Sequence, residues 1–149
     1  MWYGNEKWDK RFLTLAEHIA SWSKDPSTKC GAVIVSGKKI ISVGYNGFPA
    51  GCKDDNALYQ NRDRKYLRVI HAEQNAIYTA RENLELLECT IYIHPLPPCA
   101  QCAAAIIQVG IKRVVAPKII DKELQKRWNN SIIETNAMFN EAGVLLDLM

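Results

Sequence analysis

Two short clusters of metal-binding side chains, separated by a predicted strand, constrain this chain more than any other feature. His71-Ala72-Glu73 stands at the start of a helix predicted over residues 71–83. Pro98-Cys99-Ala100-Gln101-Cys102 starts a second helix, predicted over residues 99–109, and the intervening strand covers residues 90–94. If these side chains bind one metal ion, the fold has to bring the first turns of two helices together beside a sheet.

The residue types in these clusters are typical of a zinc site. One imidazole and two thiols are good zinc ligands, and the carboxylate of Glu73 need not bind the metal. Cys99 and Cys102 are three residues apart, so on a helix both sulfurs project from the same face. Both lie in the first turn, where we expect the helix dipole to lower the thiol pKa values and favour thiolates. The sequence therefore predicts zinc bound by His71, Cys99 and Cys102.

The number of ligands bears on what such a zinc would do. A structural zinc usually has four protein ligands, whereas a catalytic zinc has three and keeps a position for water, whose pKa falls toward about 7. Glu73, two residues from His71, is placed to take a proton from that water. The order H-x-E…P-C-x-x-C is typical of zinc nucleobase deaminases. A structural zinc with a fourth ligand is the alternative, and a C-x-x-C alone would equally suit a redox pair.

Hydrophobic periodicity predicts the rest of the secondary structure. Beyond the motif helices and the strand between them, the predicted elements are helix Lys7 to Ser23, strands Cys30 to Val35 and Lys39 to Tyr45, strand Lys112 to Ala116, helix Lys122 to Ala142 and strand Val144 to Leu148. The polar stretch 46–68 is predicted to be partly helical near its end. Because helices and strands alternate in the second half, this pattern favours a three-layer α/β/α sandwich with a parallel portion.

Length and composition set broad limits on function. A chain of 149 residues, 48% hydrophobic and 23% charged, is predicted to fold as one domain, residues 1–149. The net charge of +3 gives no reason to expect nucleic acid as a partner. No apolar run approaches the roughly 20 residues that span a bilayer, and the N-terminal residues lack a signal-peptide pattern, so we expect a cytoplasmic protein without a membrane partner. Five cysteines, an odd number, indicate reduced thiols rather than disulfides.

Three segments carry a resemblance to a known family. They are Gly44-Tyr45-Asn46-Gly47-Phe48-Pro49-Ala50-Gly51, His71-Ala72-Glu73-Gln74-Asn75-Ala76-Ile77 and Pro98-Cys99-Ala100-Gln101-Cys102-Ala103-Ala104-Ala105-Ile106-Ile107. Together they resemble deoxycytidylate (dCMP) deaminases, within the zinc-dependent cytidine deaminase-like superfamily. The zinc motifs are shared across the superfamily, whereas the first segment is typical of the dCMP branch. The resemblance implies a mixed five-stranded sheet flanked by helices, and hydrolysis of dCMP to dUMP and ammonia, which feeds dTMP synthesis.

The resemblance also implies roles for individual residues. Glu73 would be the catalytic residue, moving a proton from water to N3 of cytosine and on to the leaving amine, with one catalytic zinc per chain. Asn46 matches the family asparagine that hydrogen-bonds the sugar. Lys29, in a turn after the first helix, is the candidate for binding the phosphate, although a solvated turn lysine would look the same. Ala72 and Pro98, which adjoin zinc ligands, are further candidates for contact with substrate.

Some assignments stay open at this point. A second, structural zinc at Cys52 is not expected, because the chain lacks the histidine-bearing insertion that completes such a site in some family members. The roles of Cys30 and His94 are undecided. The basic cluster from Arg62 to Arg68 is either a salt-bridged surface helix or an anion site.

The substrate and the assembly also have alternatives. The same zinc chemistry could act on dCTP, cytidine, guanine or a tRNA adenosine, and regulation by dCTP or dTTP is undecided. A non-catalytic zinc-binding module is the remaining alternative, but such a module has no use for Glu73. Four tryptophans and three helices with apolar stripes on a short chain favour a homo-oligomer, and the resemblance implies a dimer or hexamer.

Overall fold

The structure is a computed structural model and describes residues 4–149. Along the chain its elements are α1 (Glu6–Ala20), β1 (Gly31–Ser36), β2 (Lys39–Tyr45), α2 (Asn56–Gln60), α3 (Arg62–Arg68), α4 (Ala72–Thr79), β3 (Thr90–His94), α5 (Ala100–Gln108), β4 (Arg113–Ala116), α6 (Lys122–Arg127), α7 (Asn129–Ala142) and β5 (Leu145–Leu148). None of the helices in these residues is long and apolar enough to cross a membrane.

The strands form one mixed sheet in the order β2-β1-β3-β4-β5. β1 pairs antiparallel with both β2 and β3, whereas β3 with β4 and β4 with β5 are parallel pairs. The parallel strands are connected by α5 in one case and by α6 and α7 in the other, as parallel pairing requires. This confirms the mixed five-stranded sheet with a parallel portion.

Alternate residues of the strands face two different helical layers. On one face, α1 buries Phe12, Ala16 and Ile19 against the sheet; the strand residues on this side are Val33, Val35, Tyr92 and Val115. The other face carries α4, α5 and α7; its strand residues include Ala32, Ile34, Ile91, Ile93, Val114 and Ala116, and its helix residues include Ala72, Ala76, Ala103, Ile106 and Phe139. The predicted three-layer α/β/α arrangement is therefore confirmed.

The predicted helix over residues 122–142 is wrong as a single element. The chain leaves α-helical geometry at Trp128, which has φ −99° and ψ 8°, and two helices result. α6 buries none of its residues, whereas α7 buries Thr135 and Phe139. α7 therefore buries side chains against the rest of the protein and α6 does not, so the two helices need not share one direction.

Two other predicted helices are shorter than expected. α1 ends at Ala20 rather than Ser23, because the buried Ser23 turns its hydroxyl to donate to the Asn46 carbonyl at 2.9 Å. Trp22 therefore leaves the predicted apolar stripe; it is 51% exposed and contacts Tyr45 edge-on. α4 ends at Thr79 rather than Asn83, since Ala80 already has extended backbone geometry.

Close packing of α4 on the sheet brings one of the two motifs into place. A Cβ at Gly44 would collide with the backbone of Ala72 and Ala76, so only glycine lets α4 lie this close to β2. A two-bond bridge then joins Gly47 to Ile70, with N–H to carbonyl distances of 3.1 and 2.8 Å. These contacts fix the chain immediately before His71.

Candidate active site

His71 is held at the first turn of α4. It is the N-cap residue of this helix, and its backbone N–H donates to Gln74 Oε1 at 3.0 Å. Its carbonyl accepts from the Asn75 N–H at 3.0 Å. The imidazole is therefore attached to a fixed backbone and lies toward the start of α5.

The two motif cysteines meet His71 at the start of α5. Cys99 is the N-cap residue of this helix and its carbonyl accepts from the Ala103 N–H at 2.8 Å. His71 Nδ1 lies 3.2 Å from Cys102 Sγ and 3.5 Å from Cys99 Sγ. The three ligand atoms all lie within 4.8 Å of one another. Within residues 4–149 this is the only group of three or more His, Cys, Asp or Glu side chains gathered closely enough to hold a metal ion.

This donor set fits zinc. Bond lengths of about 2.1 Å to nitrogen and 2.3 Å to sulfur in a tetrahedron separate the two ligand atoms by about 3.6 Å. The observed separations between nitrogen and sulfur are 3.2 and 3.5 Å. Small changes in side-chain torsion would therefore be enough to receive the ion.

The protonation of the three ligands is coupled. A hydrogen bond with the Cys102 side chain and a weaker one with His71 together lower the pKa of Cys99 to about 4, against the opposing effect of burial. The same hydrogen bond, together with burial, raises the pKa of Cys102. Without a bound cation the pKa of one thiol is therefore lowered and that of the other is raised, because the sulfurs are too close for both to ionise. Two thiolates on a bound zinc ion stay a prediction. The hydrogen bond with Cys99 also raises the pKa of His71.

Glu73 lies beside this cluster in a buried position. It is 5% exposed, and burial raises the pKa of its carboxyl above the ordinary value, although a hydrogen bond with Cys102 and the nearby His71 act in the opposite direction. A general acid and base works best when its pKa lies near the working pH, and for a carboxyl group this requires a raised pKa. The geometry therefore gives Glu73 the environment of a general acid and base.

Asn46 connects the loop after α1 to the Gly-rich loop, the segment of residues 44–51. Its Oδ1 accepts from the Cys30 N–H at 2.8 Å, and its Nδ2 donates to the Thr28 carbonyl at 2.9 Å and to Asp25 Oδ2 at 3.3 Å. The side chain is buried. Asn46 therefore has a clear structural role, and its contact with a sugar stays a prediction.

The sequence interpretation missed a buried ion pair next to Asn46. Asp25, 1% exposed, lies 2.8 Å from Lys65 Nζ and also accepts from the backbone N–H groups of Ser27 and Thr28. Lys65 lies among basic neighbours on α3, and their mixed charge pattern does not single it out. Lys29 is exposed and donates to the Ser23 carbonyl, so its binding of phosphate remains a prediction.

The other candidates occupy varied positions. Ala72 and Pro98 are buried, each next to a ligand in sequence. Cys30 is half-buried, and burial raises the pKa of its thiol to about 12. His94, at the end of β3, is half-buried and pairs with Gly31 across the sheet.

The segment after the Gly-rich loop forms an open pocket of about 510 Å³. Three cations, Lys53, Arg64 and Arg68, line it together with the exposed Cys52. Lys65 therefore makes a buried pair, while Arg64 and Arg68 from the same cluster face this pocket.

Comparisons with known proteins agree with the site. The family model for the cytidine and deoxycytidylate deaminase zinc-binding region matches residues 6–118. An uncharacterized deaminase from the luxG 3′ region of Aliivibrio fischeri is 47% identical over 138 residues, which cover 93% of this chain and 90% of that protein. Human deoxycytidylate deaminase is 38% identical over 146 residues, covering 93% of this chain and 77% of the relative.

The fold has a close structural counterpart. The crystal structure of dCMP deaminase from the cyanophage S-TIM5 matches with a TM-score of 0.74 and 23% identity, covering 98% of this chain and all, 100%, of that one. This likeness confirms the fold. The sequence matches extend across both metal-binding motifs, so the chain belongs to the family of zinc-dependent cytidine and deoxycytidylate deaminases.

Proposed function

We propose that this chain catalyses the hydrolytic deamination of dCMP to dUMP and ammonia. The observation that carries the proposal is the cluster of one imidazole nitrogen and two sulfurs within 4.8 Å, beside the buried Glu73. The substrate is supported by the relatives named deoxycytidylate deaminase, human and orangutan, at 38% and 41% identity over 93% of this chain. A solved structure of the phage enzyme in complex with dCMP and dUMP has the same fold.

His71, Cys99 and Cys102 would hold the zinc ion. When bound, zinc acts as a Lewis acid that makes water a nucleophile near neutral pH. Glu73 takes a proton from that water and gives it to N3 of the cytosine ring while the water oxygen bonds to C4. Glu73 then passes the second proton of the water to N4, the bond between C4 and N4 breaks, and ammonia leaves. The raised pKa of Glu73 supports this role, because the same carboxyl has to accept and release protons.

The remaining site residues would bind the nucleotide. Ala72 and Pro98, buried next to His71 and Cys99, are proposed to contact the base. Asn46 is proposed to bind the sugar and Lys29 the phosphate. The Lys29 ammonium now donates to the Ser23 carbonyl. To bind the phosphate, it has to reach the phosphate oxygens as well.

The setting of the reaction is part of the proposal. We propose one deaminase domain over residues 1–149, in the cytoplasm, supplying dUMP for dTMP synthesis. Self-association into a dimer or hexamer is supported by large apolar side chains on the surface, among them Leu67, Tyr78 and Ile120. Light scattering on the purified protein tests the oligomeric state.

A substrate panel tests the reaction. Zinc-loaded protein is given dCMP, dCTP, deoxycytidine, cytidine, guanine or an adenosine-bearing tRNA stem at equal concentrations, and ammonia release is measured. We expect the largest kcat/KM for dCMP and a fall in turnover of about 10²–10⁴-fold for Glu73→Gln. Glu82→Gln is the matched control, because Glu82 is an exposed carboxylate. A larger kcat/KM for any other compound would replace dCMP as the substrate. Absence of ammonia from all of them would refute deamination.

A further inference from the structure

We propose that Ser131 and Thr135 of α7 position the zinc ligand Cys99 by holding the backbone on both sides of it. Ser131 Oγ accepts from the Ala100 N–H at 2.8 Å. Thr135 Oγ1 donates to the Pro98 carbonyl at 3.3 Å. One hydroxyl therefore binds the residue before Cys99 and the other binds the residue after it. This inference rests on the proposed zinc centre.

The start of α5 needs such partners from outside the helix. The first N–H groups of a helix have no acceptor within it, and a polar N-cap side chain normally supplies one. Here the N-cap residue is Cys99, which makes no capping hydrogen bond because its sulfur lies against His71. Ser131, from another helix, supplies an acceptor for the Ala100 N–H, the first N–H group of α5.

The two hydroxyls are arranged as a pair. Ser131 and Thr135 are four residues apart and therefore lie on the same face of α7. Thr135 is 2% exposed, and a buried hydroxyl is costly unless it is hydrogen-bonded. Phe139, four residues further on, is buried in the main core. The face of α7 that carries the two hydroxyls is thus fixed by packing.

This pair lies outside the part of the chain that defines the family. The match to the zinc-binding region ends at residue 118, whereas both hydroxyls belong to α7. The zinc ligands are therefore held by an element that the ligand motifs do not contain. Partners that orient metal ligands typically change metal affinity by 10- to 100-fold when they are removed.

The test is the zinc affinity of full-length variants, measured by competition with a chromophoric chelator. Ser131→Ala and Thr135→Val each remove one hydroxyl, and we expect each to raise the zinc dissociation constant by about 10-fold. Ser131→Thr keeps a hydroxyl at this position and should therefore keep most of the zinc affinity. Ser36→Ala is the matched control, because it removes a hydroxyl that donates to the Leu87 carbonyl at 2.6 Å, away from the site.

The outcomes separate positioning from general stability. All proteins are compared at a temperature at which circular dichroism shows their metal-free forms to be folded. Ser36→Ala should keep its zinc dissociation constant within about twofold of the unmodified protein while it unfolds at a lower temperature. Affinities of Ser131→Ala and Thr135→Val equal to that of Ser36→Ala would overturn the inference. If the unmodified protein binds no zinc at all, the proposed zinc centre fails, and the positioning role fails with it.

Discussion

Replacement of Tyr92 by phenylalanine should destabilise the protein by a predictable amount. Tyr92 is fully buried on the α1 face of the sheet, and its hydroxyl donates to Asp9 Oδ1 at 2.6 Å. Arg113 also binds this carboxylate through Nη1 and Nη2, at 2.9 and 2.8 Å. A hydrogen bond to a charged group contributes about 1.5–3 kcal/mol. Because Arg113 still pairs with Asp9 in the variant, we expect a loss of about 2 kcal/mol in the free energy of unfolding.

The same hydroxyl makes the effect depend on pH. Burial and then the hydrogen bond to Asp9 raise the pKa of Tyr92 above its ordinary value near 10. The folded protein therefore binds the phenolic proton more tightly than the unfolded chain does. This stabilisation is complete below about pH 10 and is lost as the pH rises above it, by up to about 1.4 kcal/mol per pH unit. The difference in unfolding free energy between the unmodified protein and Tyr92→Phe should therefore become smaller as the pH rises above about 10.

Urea denaturation measures both effects. Unfolding free energies of the unmodified protein, Tyr92→Phe and Tyr78→Phe are compared at about pH 7, pH 9 and pH 10.5. Tyr78 is 68% exposed on α4 and serves as the control, for which we expect a change of less than about 0.5 kcal/mol. A loss for Tyr92→Phe as small as that of the control, or a difference that stays constant between pH 9 and 10.5, would refute the reasoning.

Three further predictions concern the site. Cys99→Ala should lose both zinc and thermal stability, because metal-binding energy is also folding energy, and metal analysis with a melting curve measures this. Glu73→Gln should keep zinc while turnover falls by about 10²–10⁴-fold; a parallel loss of zinc would make Glu73 a ligand instead. Lys29→Ala should lower kcat/KM for dCMP by about 10-fold or more and leave deoxycytidine unaffected. An equal fall in kcat/KM for dCMP and deoxycytidine would give Lys29 a purely structural role at the Ser23 carbonyl.

The candidate zinc-binding cluster of His71, Cys99 and Cys102 could be found from sequence because its signal is local. Imidazole and thiol side chains at fixed spacing, each at the start of a helix, need no knowledge of the rest of the fold. The strand order could not be found in this way. β1 and β3 pair across more than fifty intervening residues, and periodicity within each strand does not specify its neighbour. The expectation of a mixed five-stranded sheet came instead from the resemblance to a family.

The boundaries that differ from the predictions were set by tertiary contacts. The stretch from Lys122 to Ala142 has no glycine or proline, so local propensity favours one continuous helix. The break at Trp128 separates a helix without buried residues from one that packs on the core. Similarly, Ser23 leaves α1 because its hydroxyl finds the Asn46 carbonyl. Such partners are distant in sequence and leave no local pattern.

The polar residues that support the site were hidden for a related reason. Ser131 and Thr135, and likewise Asp25 and Lys65, have the composition of a solvated surface. Each residue becomes important only because its partner lies in another segment of the chain. Ser131 and Thr135 bind the start of α5. Asp25 and Lys65 bind each other. A pattern of charges or hydroxyls along one helix does not reveal these partners.

The contacts of Asn46 determine how it could bind a sugar. A carboxamide offers two N–H donors and two oxygen lone pairs. Both donors are used by the Thr28 carbonyl and Asp25, and one lone pair is used by the Cys30 N–H. With these contacts kept, Asn46 can only accept from a sugar hydroxyl, which must therefore donate. A dCMP analogue with fluorine in place of the hydroxyl that contacts Asn46 cannot donate this hydrogen bond. Its KM should be about 5- to 10-fold higher than that of dCMP. An unchanged KM for every such fluorinated analogue would mean that Asn46 acts only on the fold.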